Sequence, residues 1–174
     1  MIFEAAIELS ITDNTAYTVL VALKQLGYDA LDAVERSEIY RLTLARDSNP
    51  EEVARALLHA EIVFNPNKHR LSYDSGVVPS GTPARDEWEA VVADRDDDTT
   101  RIRHLLADRF GVRDLERVER STAWRLFEKD RPASKERLEW ACRALLCNPH
   151  SQVATVRARP HRAVAGESAA VVEQ

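Results

Sequence analysis

The chain opens on an alternation. Phe3, Ala5, Ile7, Leu9 and Ile11 are apolar, and Glu4, Glu8 and Ser10 lie between them, the period-two pattern of a half-buried strand. Thr12-Asp13-Asn14-Thr15 supplies cap-type residues, and Ala16, Leu20, Leu23 and Leu26 follow at helical spacing until Gly27 ends the predicted helix. Alternation returns over 34–44, with Tyr40, Leu42 and Leu44 sharing one face and Arg41 on the other. Asn49-Pro50-Glu51-Glu52 starts a second helix: a cap residue, proline at the first helical position, then acids at the positive end of the dipole. That helix turns Val53, Ala56, Leu57 and Ala60 inward, and His69 to Tyr73 predicts a last strand. The unit reads β-α-β-α-β.

The same grammar then recurs. Phe3-Glu4-Ala5 matches Trp88-Glu89-Ala90, Leu26-Gly27 matches Phe110-Gly111, and Val34-Glu35-Arg36-Ser37 matches Val118-Glu119-Arg120-Ser121. Tyr40-Arg41-Leu42 answers Trp124-Arg125-Leu126, Arg55-Ala56-Leu57-Leu58 answers Arg143-Ala144-Leu145-Leu146, and Asn65-Pro66 answers Asn148-Pro149. In the second copy Ile102, Leu105, Leu106 and Phe110 form the first helical stripe, and Leu138, Ala141, Cys142, Leu145 and Leu146 the second. Collinear matches at a nearly constant offset are the mark of an internal duplication. The expected fold is α+β: two tandem β-α-β-α-β units in an intrachain pseudo-dimer, helices packed on small, mainly antiparallel sheets. The expected organisation is a first repeat over 1–75, a linker over 76–86, a second repeat over 87–160 and a flexible tail over 161–174. The linker rests on Ser75-Gly76-Val77-Val78-Pro79-Ser80-Gly81-Thr82-Pro83, where proline and glycine cluster.

Charge narrows the function classes. Lys plus Arg number 24 and Asp plus Glu 29, a net charge of −5 with a pI near 5.6. The imbalance sits in residues 1–75, which carry seven bases against twelve acids, while the remainder is balanced. Nucleic-acid binding would need a basic face and stacking aromatics, and only 6% of residues are aromatic. No apolar run is long enough to span a bilayer, so the expectation is a soluble, cytoplasmic chain without membrane contact.

Little catalytic chemistry is legible. No glycine-rich phosphate loop is present, and the five histidines are scattered without metal-ligand spacing. Cys142 falls on an apolar stripe as a small core residue. Asp94 to Asp98 reads as a charge cap before a helix, and Arg157, Arg159 and Arg162 as a solvated strand end. No catalytic, cofactor-binding or metal-ligating residue is predicted. The repeated Glu-Arg-Ser segments are either cross-strand ion pairs or matching positions on two quasi-equivalent contact surfaces. The two Asn-Pro pairs follow the second helix of each copy, where they terminate it. The candidate partner-contact residues are therefore Arg36, Arg41, Arg120, Arg125, Asn148 and Pro149.

Leu145-Leu146-Cys147-Asn148-Pro149, the Leu-Gly closing the first helix and the Val-x-x-Ser-x-x-Tyr strand after it resemble the PurS family, the small subunit of phosphoribosylformylglycinamidine synthase. The resemblance covers roughly 2–75 and 87–157, so the chain reads as two such units in tandem. It departs from the family pattern in two places. Asp13-Asn14-Thr15-Ala16 and Asp98-Thr99-Thr100-Arg101 stand where the family has Asp-Pro-x-Gly. Ser37-Glu38 and Ser121-Thr122 stand where it has Gly-Lys, so no ligand residue carries over. The resemblance implies an accessory subunit of de novo purine biosynthesis, with no catalysis from this chain alone. It would bridge a synthetase and a glutaminase within an ATP-dependent, glutamine-using ligase complex. ATP, Mg and glutamine would be used by those partner subunits, with further self-association among the expected contacts. The alternative from another class is a tandem ligand-sensing regulatory module that binds a small metabolite between its repeats.

Overall fold

The alternating segments become strands β1 (Ile2–Leu9), β2 (Ala33–Leu44), β4 (Trp88–Asp94) and β5 (Leu115–Glu128), and the capped stripes become helices α1 (Asn14–Gln25), α2 (Pro50–His59), α3 (Thr100–Asp108) and α4 (Lys135–Ala141). Strands β3 (His69–Tyr73), β6 (Arg131–Pro132), β7 (Gln152–Ala158) and β8 (Ala163–Val164) complete the order. The computed structural model describes residues 1–46, 48–74 and 87–166, so the predicted linker lies outside the described residues. Local chemistry acts as expected at the helix ends. Asp13 accepts from the Thr15 and Ala16 amides at the start of α1, and Asn49 from the Glu51 amide at the start of α2. Gly27 and Gly111 take left-handed backbone angles (φ 100° and 71°) just after α1 and α3.

The strands do not form two small sheets. They form one eight-stranded sheet, antiparallel at every pairing, in the order β7-β4-β5-β2-β1-β3-β8 with β6 hairpinned onto β5. The join is β2 against β5, with Glu38 opposite Thr122, Ser37 opposite Ala123 and Ile39 opposite Ser121. Each of the two long central strands supplies the other's hydrogen-bonding edge, so neither half ends in an open edge at the middle.

The sheet is curled. Arg157 on β7 reaches Glu4 on β1, four strand spacings away, which a flat sheet would set about 19 Å apart. The chain also passes from Ala158 at one end of the sheet to Ala163 beside β3 at the other. Five residue steps span at most about 18 Å, whereas the six intervening spacings of a flat sheet would need about 29 Å. The helices cover one face. Phe3, Ala5, Ile7, Tyr40, Leu42 and Leu44 meet α2 and α3 there, and Ala90, Val92, Trp124 and Leu126 meet α1 and α4. Each helix packs on strands of its own half, but the core clusters span the halves: Leu106 of α3 joins the cluster around Phe3, and Leu23 of α1 joins the cluster around Trp124.

Two further expectations are corrected. Residues 161–166 are not a frayed tail: Ala163 and Val164 extend the sheet beyond β3, and the Arg162 side chain is 2% exposed. The preceding β7 ends where the curled sheet brings β3 within reach, so a short apolar Ala-Val-Ala run suffices to pair. Leu145 is 41% exposed rather than part of the inward stripe. Cys142–Leu146 continues α4 as a π-helical turn, closed by the Cys147 amide on the Cys142 carbonyl, and the wider turn shifts Leu145 out of phase.

Candidate functional site

On the helix-free, concave face a buried ion cluster forms from residues far apart in sequence. Glu4 and Glu89 occupy matching positions of β1 and β4, one residue after Phe3 and Trp88, with side chains opposite to the helix-packed Phe3, Ala5 and Ala90. Arg157 donates from Nε to Glu89 at 2.9 Å and from Nη1 to Glu4 at 2.9 Å. Arg162 donates to Glu4 at 2.9 Å and to both Glu89 oxygens at 3.0 and 3.1 Å. Glu89 is 1% exposed, and its side-chain oxygens accept from both guanidinium groups. Burial raises the Glu4 carboxyl, but the hydrogen bonds and charges of Arg157 and Arg162 outweigh it and hold the group below its ordinary value. Arg157, partly exposed, and Arg162, buried, thus bridge β1, β4, β7 and the β7–β8 crossover rather than ending a strand in solvent. Nearby on the same face Ala6, Ile39 and Ala123 are buried together, and Arg125 pairs with Glu35 and Glu8.

On the helix face the repeated arginines do one repeated job. Arg36 donates from Nε to Asp13 at 2.9 Å, and Arg120 donates to Asp97 at 3.2 and 2.8 Å. Each arginine thereby ties a central strand to the segment that starts the first helix of its own half. Around each pair lies a cleft. One, of about 370 Å³, is lined by Glu8, Asp13, Glu35, Arg36, Arg70 and Arg125 among others. The other, of about 270 Å³, joins Glu38 of β2 to Asp94, Asp97, Arg120, Trp124 and Gln152 of the second half. Beside it, burial pushes the Tyr40 hydroxyl up to about 12, with Glu38 adding to the shift. Asp13→Ala removes a helix cap and a guanidinium partner together, and is expected to destabilise the fold by about 1–2 kcal/mol in urea titrations at pH 7. Asp13 is held below its ordinary value, so the difference between wild type and variant shrinks as pH falls through that depressed value.

The six sequence candidates do not converge. Arg36 and Arg125 line the same cleft, and Arg120 lines the second. Arg41 is exposed on β2, opposite Glu4 on one side and Glu119 on the other. Asn148 closes the turn after α4, where its side chain accepts from the His150 amide and its own amide donates to Gln152. Pro149 lines a third groove of about 390 Å³ with Cys142, Cys147, Ala154 and Val156. Cys142 itself is buried, and burial pushes its thiol up to about 11. Among the described residues no group of three or more His, Cys, Asp or Glu side chains is placed to hold a metal ion. No described helix is long and apolar enough to cross a membrane. No protein-family model and no curated protein matches the chain.

Proposed function

We propose that this chain is a non-catalytic bridging subunit of the PurS type, two small units fused as an intrachain pseudo-dimer that holds a synthetase and a glutaminase together. The observation that carries this reading is the register of β2 on β5. Glu38 lies opposite Thr122, and these two are separated by the same sequence interval as the matched Val34 and Val118. Each central strand therefore pairs with its own counterpart, the geometry two identical small subunits adopt about a two-fold axis. The matched Asp13–Arg36 and Asp97–Arg120 pairs lend support, as do the matched turns at Asn65-Pro66 and Asn148-Pro149. Fusion of the two units removes the entropy loss of dimer formation and leaves the two ends free to meet different partners. Their unequal charge favours that division of labour. The test is affinity capture of the tagged chain from its native cell, read by mass spectrometry. Recovery of an ATP-dependent synthetase and a glutaminase is expected, and recovery of neither would overturn the reading.

A second reading has one observation in its favour. The cleft holding Glu38, Asp97, Arg120 and Gln152 draws its lining from both halves, as a sensor of a small metabolite between repeats would. Thermal-shift screening against amino acids and nucleotides separates the two: specific stabilisation by a free metabolite favours the sensor.

A further inference from the structure

β3 and β7 are counterparts, each entered through an Asn-Pro turn of the same hydrogen bonding. The Asn65 amide donates to the side chain of His69 and the Asn148 amide to that of Gln152, while each Asn side chain accepts from the amide two residues on. Their outer edges differ. β3 is covered by β8: Tyr73 pairs with Ala163, Ser72 with Val164, and the Ala165 amide donates to the Leu71 carbonyl. Ala163 and Ala165 also pack on the hydrophobic cluster around α2. Among the described residues nothing pairs with the outer edge of β7.

That open edge is built for a strand. The Arg95 amide bonds the Ser151 carbonyl and the Arg159 amide the Glu87 carbonyl, which sets the hydrogen-bonding phase of β7 against β4. Val153, Thr155 and Arg157 consequently turn their backbone groups to β4, and Ala154 and Val156 turn theirs outward. These two are the counterparts of Leu71 and Tyr73, whose outward groups β8 satisfies. Next to them the groove of about 390 Å³ between the end of α4 and β7, lined by Cys142, Cys147, Pro149, Ala154 and Val156 together with Glu139 and Arg143 of the helix, stands where the first half seats Ala163 and Ala165. The edge lacks the usual protections. It has no proline, no bulge and no outward charge: Val153 and Thr155 are exposed, and its one charge, Arg157, is engaged by Glu4 and Glu89.

We propose that β7 is an interface for a second copy of this chain, pairing antiparallel with β7 of that copy about a two-fold axis at Thr155. The occupant needs small apolar residues at alternate positions, and β7 itself offers Ala154, Val156 and Ala158. With Thr155 opposite Thr155, the outward groups of Ala154 meet those of Val156 in the other copy, and no like charges face each other. The pairing repeats at the rim what β2 and β5 already do at the centre, and it does not depend on the PurS-type reading.

The test is sedimentation equilibrium on the full chain and two variants, with far-UV circular dichroism confirming that each is folded. Wild type is expected to show a concentration-dependent species of twice the 19.6 kDa chain mass. Thr155 sits at a non-hydrogen-bonded position of the pair, where opposed side chains are closest, so Thr155→Lys and Thr155→Glu should each weaken self-association by about tenfold. Mixing the two variants should restore it. Wild type that stays monomeric, or a Thr155→Lys variant that dimerises as tightly as wild type, would overturn the proposal. So would monomeric wild type that binds a capped peptide of residues 161–166, which would assign the edge to a foreign strand.

Discussion

Replacing Glu89 with leucine is expected to lower folding stability by about 3–5 kcal/mol, measured by urea denaturation at pH 7. Glu89 is 1% exposed and accepts hydrogen bonds from both Arg157 and Arg162, and Arg162 is itself only 2% exposed. Without Glu89, Arg162 keeps a single carboxylate partner, Glu4, and two guanidinium groups crowd one acid. The penalty comes from stranding charge away from water, not from losing an attraction in high dielectric. The double variant Glu89→Leu/Arg162→Leu separates these causes: it removes one charge of each sign and should recover more than half of the loss. A Glu89→Leu cost below about 1 kcal/mol would show that the cluster does not fasten the curled sheet. The pH dependence has a definite sign. Glu4 is held below its ordinary 4.5, so its contribution is complete above that value and disappears as pH falls through the depressed one. Wild type should therefore lose stability on acidification in a step that Glu4→Gln lacks.

This cluster marks where sequence reading stops. The alternation around Phe3 and Trp88 places the strands, and the match of Phe3-Glu4-Ala5 with Trp88-Glu89-Ala90 shows that an acid recurs there. Period two assigns Glu4 and Glu89 to the face away from the helices, which is ordinarily the solvated one. Only the curl of the sheet, set by long-range pairing and the crossover to β8, closes that face over them. The repeat signal could have flagged the acids, since a charge kept at matching positions of two strands has something in common to hold. The caps at Asp13 and Asn49 and the glycine after α1 were legible because they depend on neighbours within a few residues. The hairpin joining β5 to β6 was not. Its turn is Lys129-Asp130, both in left-handed conformation (φ 49° and 62°), without the Asn-Gly pair that normally announces such a turn. The partners of the repeated arginines were likewise hidden. Arg36 and Arg120 read as cross-strand ion-pair residues, whereas each reaches instead to an acid 23 positions earlier at the start of a helix.

The sharing of each core cluster by both halves leads to the second large effect. Leu106 belongs to α3, in the second half of the chain, yet it is fully buried in the cluster that holds Phe3, Leu57 and Leu71 of the first. Truncation to alanine leaves a cavity among well-packed neighbours and is expected to cost about 2–5 kcal/mol. The informative point is where the loss is observed. All three tryptophans, Trp88, Trp124 and Trp140, lie in or against the other cluster, with Leu23, Tyr28 and Leu31 from the first half. If the two clusters unfolded independently, Leu106→Ala would leave the tryptophan fluorescence transition in place and shift only part of the circular dichroism signal. The continuous sheet through β2 and β5, the clusters drawn from both halves and the Glu4–Arg157 bridge argue for one cooperative unit. Fluorescence and circular dichroism should then report one shared urea midpoint, displaced by the same amount in the variant. Two separated transitions, with fluorescence unmoved, would mean that each cluster is stable alone and that the shared sheet does not couple them.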